Sequence, residues 1–303
     1  MRALASPASL KGVLSAPEAA RALAAGLRRA GAEVEELPVA DGGEGTAEVL
    51  GAEVVRVHEV HDAFGRPRGA PIRALADGTA VIESAEVIPL DPERRDVFAA
   101  SSRGLGELVA HATGFPRLLL CLGGTANMDG GEGLLEVLHE LPAPTKALCD
   151  VQIPLLEAPR MFGPQKGALA DDVGRLEARF ARLAHAESLA KLPGGGAAGG
   201  IGAALASLGA ELRAGADYIL ASLGFRARAA RADLVVTGEG TVDGSTFEGK
   251  APGEVLRACR ELGVPCVLFG GRVAVGIEAH ALSGDPARAR EDLEDLGFRL
   301  GSA

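Results

Sequence analysis

The stretch PVADGGEGTAEVL, residues 38–50, places three glycines, two carboxylates and a threonine between an apolar run and a helix-like segment. An ordinary turn needs one or two glycines. Gly42, Gly43 and Gly45 leave a short backbone almost without Cβ atoms, which suits close approach to a ligand. Together with Glu44 and Thr46 they form a candidate substrate or phosphate loop whose N–H groups can face an anion. Similar clusters follow apolar runs in CLGGTANMDGG, VVTGEG and LFGG, so Gly123, Gly124 and Thr125 are candidates of the same kind. Asp41, Glu44, Asp129, Glu239 and Asp243 lie in or beside these clusters. Acids would repel an anionic ligand unless a cation stands between them. Magnesium resolves the conflict, because it takes one or two carboxylates together with phosphate oxygens.

The lysines point the same way. Among 31 basic residues, lysine occurs only at positions 11, 146, 166, 191 and 250; Lys11, Lys166 and Lys250 each adjoin a glycine. A compact ammonium beside Cβ-free backbone binds phosphate oxygens as a point charge. The run PGGGAAGG places Gly194, Gly195 and Gly196 at the start of a helical stretch, whose first N–H groups could accept an anion. Two familiar fingerprints are discounted. Gly194, Gly196 and Gly199 match GxGxxG, but no β-branched strand precedes them. Gly244, Gly249 and Lys250 nearly match a P-loop, yet Ala251 stands where a magnesium-holding Ser or Thr belongs. His58 and His61, three apart on a strand, point to opposite faces and are not read as ligands.

These residues need a scaffold of a particular kind. With 303 residues there is room for two domains. Aromatics at 3% and a net charge of −10 argue against nucleic-acid binding. No apolar run reaches the ~20 residues of a membrane span, and the N-terminus lacks a signal-peptide core. The four cysteines show no CxxC spacing, and Cys121 and Cys266 read as small buried hydrophobes. A cytoplasmic chain without membrane partners is expected.

A strand at 2–6, a helix from a Ser15–Glu18 capping box to about Ala30, and a strand at 33–39 make a βαβ opening. Three strands at 53–60, 70–75 and 79–83 read as an antiparallel meander. A helix over 95–113 leads to the buried strand of RLLLCLGG. Mostly helical sequence fills 168–231, and ADLVVTGEG and VPCVLFGG flank the helix 254–262 as a second βαβ unit. The expected fold is α/β with two domains. A Rossmann/flavodoxin-like parallel-sheet domain comes from both termini, 1–50 and 226–303, and a mixed α/β domain, 51–225, is inserted in it. Sites in such folds lie at the carboxyl ends of strands.

SLKGVLSAPEAARALAAG, PVADGGEGT, SSRGLGEL, GGTANMDGGEGLLE, FGPQKGA, PGGGAAGGIGAAL and ADLVVTGEGTVDGSTFEGKAP occur in the order seen in the bacterial type 1 glycerate kinases, which this chain resembles from Ser9 to about Gly271. The resemblance implies ATP-dependent phosphorylation of D-glycerate at the 2-hydroxyl, and two α/β domains with the active site between them. In that setting Lys11 and Lys166 would neutralise phosphate or substrate carboxylate, with Lys250 a third candidate. Asp41 or Asp129 would accept the hydroxyl proton, and Glu239 and Asp243 would help hold magnesium. The chain departs from the family pattern at Ala8, where an Asp is usual, at Met128, where an Asn is usual, and in a shortened stretch between Leu135 and Cys149. Two other readings compete: a homologue that binds nucleotide or metabolite without turnover, and a dinucleotide-dependent oxidoreductase resting on the GxGxxG match.

Overall fold

The computed structural model describes residues 1–302. Eleven strands run through the described residues: β1 Arg2–Ala5, β2 Glu33–Glu36, β3 Glu53–His61, β4 Pro67–Ala74, β5 Ala80–Glu83, β6 Leu118–Leu122, β7 Thr145–Cys149, β8 Glu211–Ala214, β9 Leu234–Val242, β10 Cys266–Val273 and β11 His280–Ala281. They form two sheets, in orders β11-β10-β9-β1-β2 and β3-β4-β5-β6-β7-β8. The chain divides into two compact units: Met1–Asp41 with Ala216 onward, and Gly42–Gly215. The fold is therefore α/β, with a parallel sheet drawn from both termini and a separate mixed sheet between them.

In the first unit all strand pairs are parallel. Parallel strands need crossover connections and are buried on both faces. The helix Ala16–Arg29 supplies one such crossover, and its start is local chemistry: Ser15 and Glu18 close the expected capping box. Its alanine- and leucine-rich face packs with Ala3, Ala5, Phe269 and Leu293 in one core cluster, while Leu4, Val39, Ala216, Phe225 and Val255 share another.

In the second unit β3, β4 and β5 pair antiparallel, as the meander reading expects, and β5 to β8 pair parallel. The RLLLCLGG strand lies in the middle of this sheet. Its five residues are all buried, so a continuous apolar run is what the position demands.

Several expectations are corrected. The helix expected over 95–113 spans only Arg103–Ala110, because Ser102 spends its N–H and hydroxyl on the Asp129 carboxylate. The stretch 168–231 is mostly helical as expected, and holds in addition one edge strand, Glu211–Ala214. VVTGEG and LFGG are not strand-end loops. Gly238 pairs with Phe269 and Gly270 with Glu239 inside β9 and β10. A Cβ on Gly238 would stand 2.2 Å from the Phe269 carbonyl oxygen, so close strand packing accounts for that glycine. The units part at 41/42 and 215/216 rather than near 50 and 225. Gly45 and Ala47 are tied to Glu83 on β5, whereas Ala216 and Leu220 pack with Val39 and Phe225.

Candidate functional site

Each unit gathers charged residues at the carboxyl ends of its parallel strands, where ligands of open α/β sheets bind. In the first unit they surround a cavity of about 360 Å³ whose lining includes Lys11, Asp41, Glu239, Thr241, Lys250 and Arg272. Lys11 is exposed on a tight turn closed by paired hydrogen bonds between Leu10 and Leu14. The Glu239 carboxylate accepts the Thr246 hydroxyl at 2.7 Å and stands 3.8 Å from the Lys250 ammonium. Burial raises the Glu239 pKa; Thr246 and Lys250 oppose the rise, and the charges of Asp41 and Asp243 add to it. Asp243 caps the turn Gly244–Phe247, accepting from both the hydroxyl and the N–H of Ser245. Those bonds, the hydroxyl first, hold its pKa below the ordinary carboxylate value.

Glu239 thus feels the charges of Asp41 and Asp243, with the Lys250 ammonium 3.8 Å away. No group of three His, Cys, Asp or Glu forms a metal cage among the described residues. A magnesium ion at Glu239 and Asp243 would therefore complete its shell with phosphate oxygens and water, as this ion ordinarily does.

The second unit's cluster is built on loops after β5, β6 and β7. Lys166 is 5% exposed; its ammonium donates to the Asn127 carbonyl oxygen at 2.9 Å and the Thr125 hydroxyl at 3.3 Å. Burial lowers its pKa from 10.5 to about 8, against the opposing charges of Asp150 and Asp129. A Cβ placed on Gly123 would come within 2.5 Å of an Asp150 carboxylate oxygen and 3.3 Å of the Gly43 Cα. Gly43, Gly123 and Asp150 therefore meet closely, and Thr125 joins them to Lys166.

Two candidates have duties other than those expected. Asp129 is 2% exposed, and its carboxylate accepts the N–H and hydroxyl of Ser102, the N–H groups of Gly131 and Gly133, and the Asn127 side-chain amide. Five donors saturate it, so it clamps its glycine-rich loop and has no lone pair to spare for a substrate proton. Gly194, Gly195 and Gly196 are buried, and their segment faces inward. The N–H groups of Gly195, Gly196 and Ala197 donate to Leu192, Ile153 and Gly194 carbonyls at 2.9, 2.9 and 3.0 Å. These groups are not free for an anion, and the dinucleotide reading loses its phosphate seat.

The opening loop also differs from expectation. The N–H groups of Gly45 and Ala47 donate to the two oxygens of Glu83 at 3.0 and 2.6 Å. The anion facing this part of the loop is thus a buried side chain of the protein. Glu44 remains exposed, while Gly42, Gly43 and Thr46 are buried. Glu83 and Asp150 were missed from sequence; the signal available was a carboxylate at the end of a short buried strand, IESA and ALCD. Met128 is fully buried among Leu155, Leu176 and Phe180. Ala8 packs on the core cluster containing Leu4 and Val39, its N–H donating to Gly238.

Comparison with known proteins gives the family. The model of the glycerate kinase family matches residues 3–141 and 142–287. The chain is 34% identical to a glycerate kinase of Bacillus subtilis (strain 168), over 90% of this chain and 86% of that one. It is 33% identical to a glycerate 2-kinase of Escherichia coli (strain K12), over 89% and 85%. A crystal structure carrying the glycerate kinase 2 designation, from Salmonella typhimurium LT2, superposes with a TM-score of 0.80 at 32% identity, covering 100% of this chain and 97% of that one. The family match and the named relatives make this a kinase. The chain belongs to the glycerate kinase family. No helix among the described residues is long and apolar enough to cross a membrane.

Proposed function

We propose that this protein transfers the γ-phosphoryl group of ATP to the 2-hydroxyl of D-glycerate, giving 2-phosphoglycerate and ADP. The observation that carries the reading is Lys166, a buried ammonium beside Asp150 and the loop after β6, with its pKa lowered to about 8. A fold does not bury a lysine against two carbonyl or hydroxyl oxygens for stability alone, because the desolvation cost exceeds the return. Phosphoryl transfer does call for such a cation, since it depends on positioning and on neutralising charge over the transferring oxygens.

In this reading Lys166 binds the substrate carboxylate or the transferring group, and Lys11 and Lys250 hold phosphate oxygens. The substrate hydroxyl oxygen forms the new bond to phosphorus as the bond to the departing ADP oxygen breaks. Asp41 takes the hydroxyl proton, because Asp129 is saturated. Bound magnesium supplies charge neutralisation on the phosphates, with Glu239 and Asp243 as its protein ligands. Within the second unit, residues 123–127 hold the Lys166 ammonium through Thr125 and Asn127.

The test is direct. Purified protein with D-glycerate and MgATP should release ADP stoichiometrically with a phosphoglycerate, whose phosphorus NMR coupling assigns the 2-position. Nucleotide binding without ADP release would sink the reaction; a 3-phosphoglycerate product would sink the regiochemistry alone.

A further inference from the structure

We propose that the first unit's cavity seats the nucleoside half of the phosphoryl donor, with the base on the wall formed by Leu10, Val13, Leu282 and Ala289. This rests on the reading of the protein as an ATP-dependent kinase and adds where the donor's adenine and ribose lie.

The seat follows from sheet geometry. The chain that continues β1 stays bonded to β9 as far as Ala8, whose N–H donates to the Gly238 carbonyl, whereas β9 and β10 stay paired to Val242 and Val273. The longer ribbon therefore projects past the end of β1 and leaves a step beside it. The step also lies where chain order reverses, since β1 has β2 on one side and β9 on the other. Doubly wound sheets take nucleotides at such a switch point. Residues 6–14 and 282–289 close the step into the cavity of about 360 Å³.

Its chemistry is divided. Leu10 and Ala289 are core residues that still line the cavity, Leu282 packs on the same cluster, and Val13 is 37% exposed. Lys11 and Lys250 supply cations, and Lys250 comes from the start of the helix after β9. A three-carbon acid has no apolar body to cover four aliphatic side chains, and the volume far exceeds its needs. Free phosphate would meet Asp41 and Asp285 as well as the lysines. A ligand with a flat apolar ring, hydroxyls and a distal anionic chain satisfies all of these at once, the ribose hydroxyls having Asp285 as an acceptor. Pockets that take such ligands are mostly apolar with a few convergent polar groups.

Hydrogen exchange on the full chain tests this without turnover. AMP-PNP with magnesium should slow amide exchange several-fold in residues 10–14 and 282–289, whereas tripolyphosphate should leave 282–289 unprotected. Val13→Asp, at a partly exposed position, should weaken AMP-PNP by about tenfold, worth ~1.4 kcal/mol, and tripolyphosphate by less than about twofold. The seat is overturned if AMP-PNP protects neither segment, if tripolyphosphate protects both equally, or if Val13→Asp binds AMP-PNP like wild type. The two readings fail separately. Protection of both segments without phosphoglycerate formation leaves the seat and removes the reaction; phosphoglycerate formation with protection only elsewhere does the reverse.

Discussion

Lys166 holds the sharpest residue-scale consequence, because its fold lowers its pKa to about 8 from an ordinary 10.5. Below pH 8 both folded and unfolded chains carry the proton, and the buried ammonium costs the fold about 3 kcal/mol. Between pH 8 and 10.5 the folded chain releases the proton first, so the penalty fades as pH rises. Activity runs the other way, since the cation is what the reaction needs. Turnover should therefore fall as pH passes 8, while stability relative to Lys166→Met rises over the same interval. Paired kcat profiles and urea titrations at pH 7 and 9.5 check both slopes; parallel pH dependence of the two proteins' stability would contradict the burial argument. Asp150 holds the pKa up, so Asp150→Asn should move the alkaline limb of the profile to lower pH.

At the scale of elements, the glycine loop after Asp41 is anchored by a side chain far along the chain. Glu83 ends β5 and accepts from Gly45 and Ala47, in place of the side-chain cap that the short helix Thr46–Val49 lacks. Burial raises the Glu83 pKa, but both oxygens receive N–H donors. Glu83→Gln keeps one acceptor and turns an amide NH₂ toward the other donor, so it should cost roughly 1–3 kcal/mol in urea unfolding. A loss of less than about 0.5 kcal/mol would show that water replaces the carboxylate.

The glycines of this loop separate in the same way. Gly42 has φ +90°, and a Cβ there would lie 2.6 Å from the Gly215 Cα; Gly45 has φ +84° with nothing within 4 Å. Gly45→Ala should cost only the left-handed strain of about 1–2 kcal/mol, and Gly42→Ala clearly more, as ranked by denaturation midpoints.

What was legible from sequence was local. The Ser15–Glu18 box starts its helix, and turn residues mark the β3–β5 meander, because each partner lies within a few residues. The parallel sheet shared by both ends of the chain followed from apolar runs alternating with helices. Partners set by the fold were not legible: Glu83 lies 38 residues from Gly45, and Lys166 lies 41 from Thr125. Asp129 looked like a base because its five donors come from residues that only the folded loop assembles. Residues 95–102 carry a helical pattern that loses to the Ser102–Asp129 bonds. The short strands β7 and β8 carry too few residues for a period to show.

For the whole molecule, the decisive feature is that the mixed-sheet unit enters and leaves at neighbouring points. Gly42 and Gly215, its first and last residues, approach so closely that no side chain fits between them. Adjacent ends let one compact unit be inserted into another without stretching either. The unit has cores of its own, one built from Ile72, Ile82, Leu105, Leu120 and Ile201, another from Leu155, Leu176 and Phe180. Its catalytic candidate Lys166 finds its hydrogen-bond partners and both opposing carboxylates inside the same unit. A polypeptide of residues 42–215 alone should therefore fold, melt in one cooperative transition, and still titrate Lys166 at about 8, while showing no phosphoglycerate formation. Calorimetry gives the transition, and ¹⁵N-labelled lysine NMR gives the pKa. A fragment that melts without a cooperative transition, or a Lys166 that titrates near 10.5 in a folded fragment, would show that the rest of the chain is needed to build the buried cation.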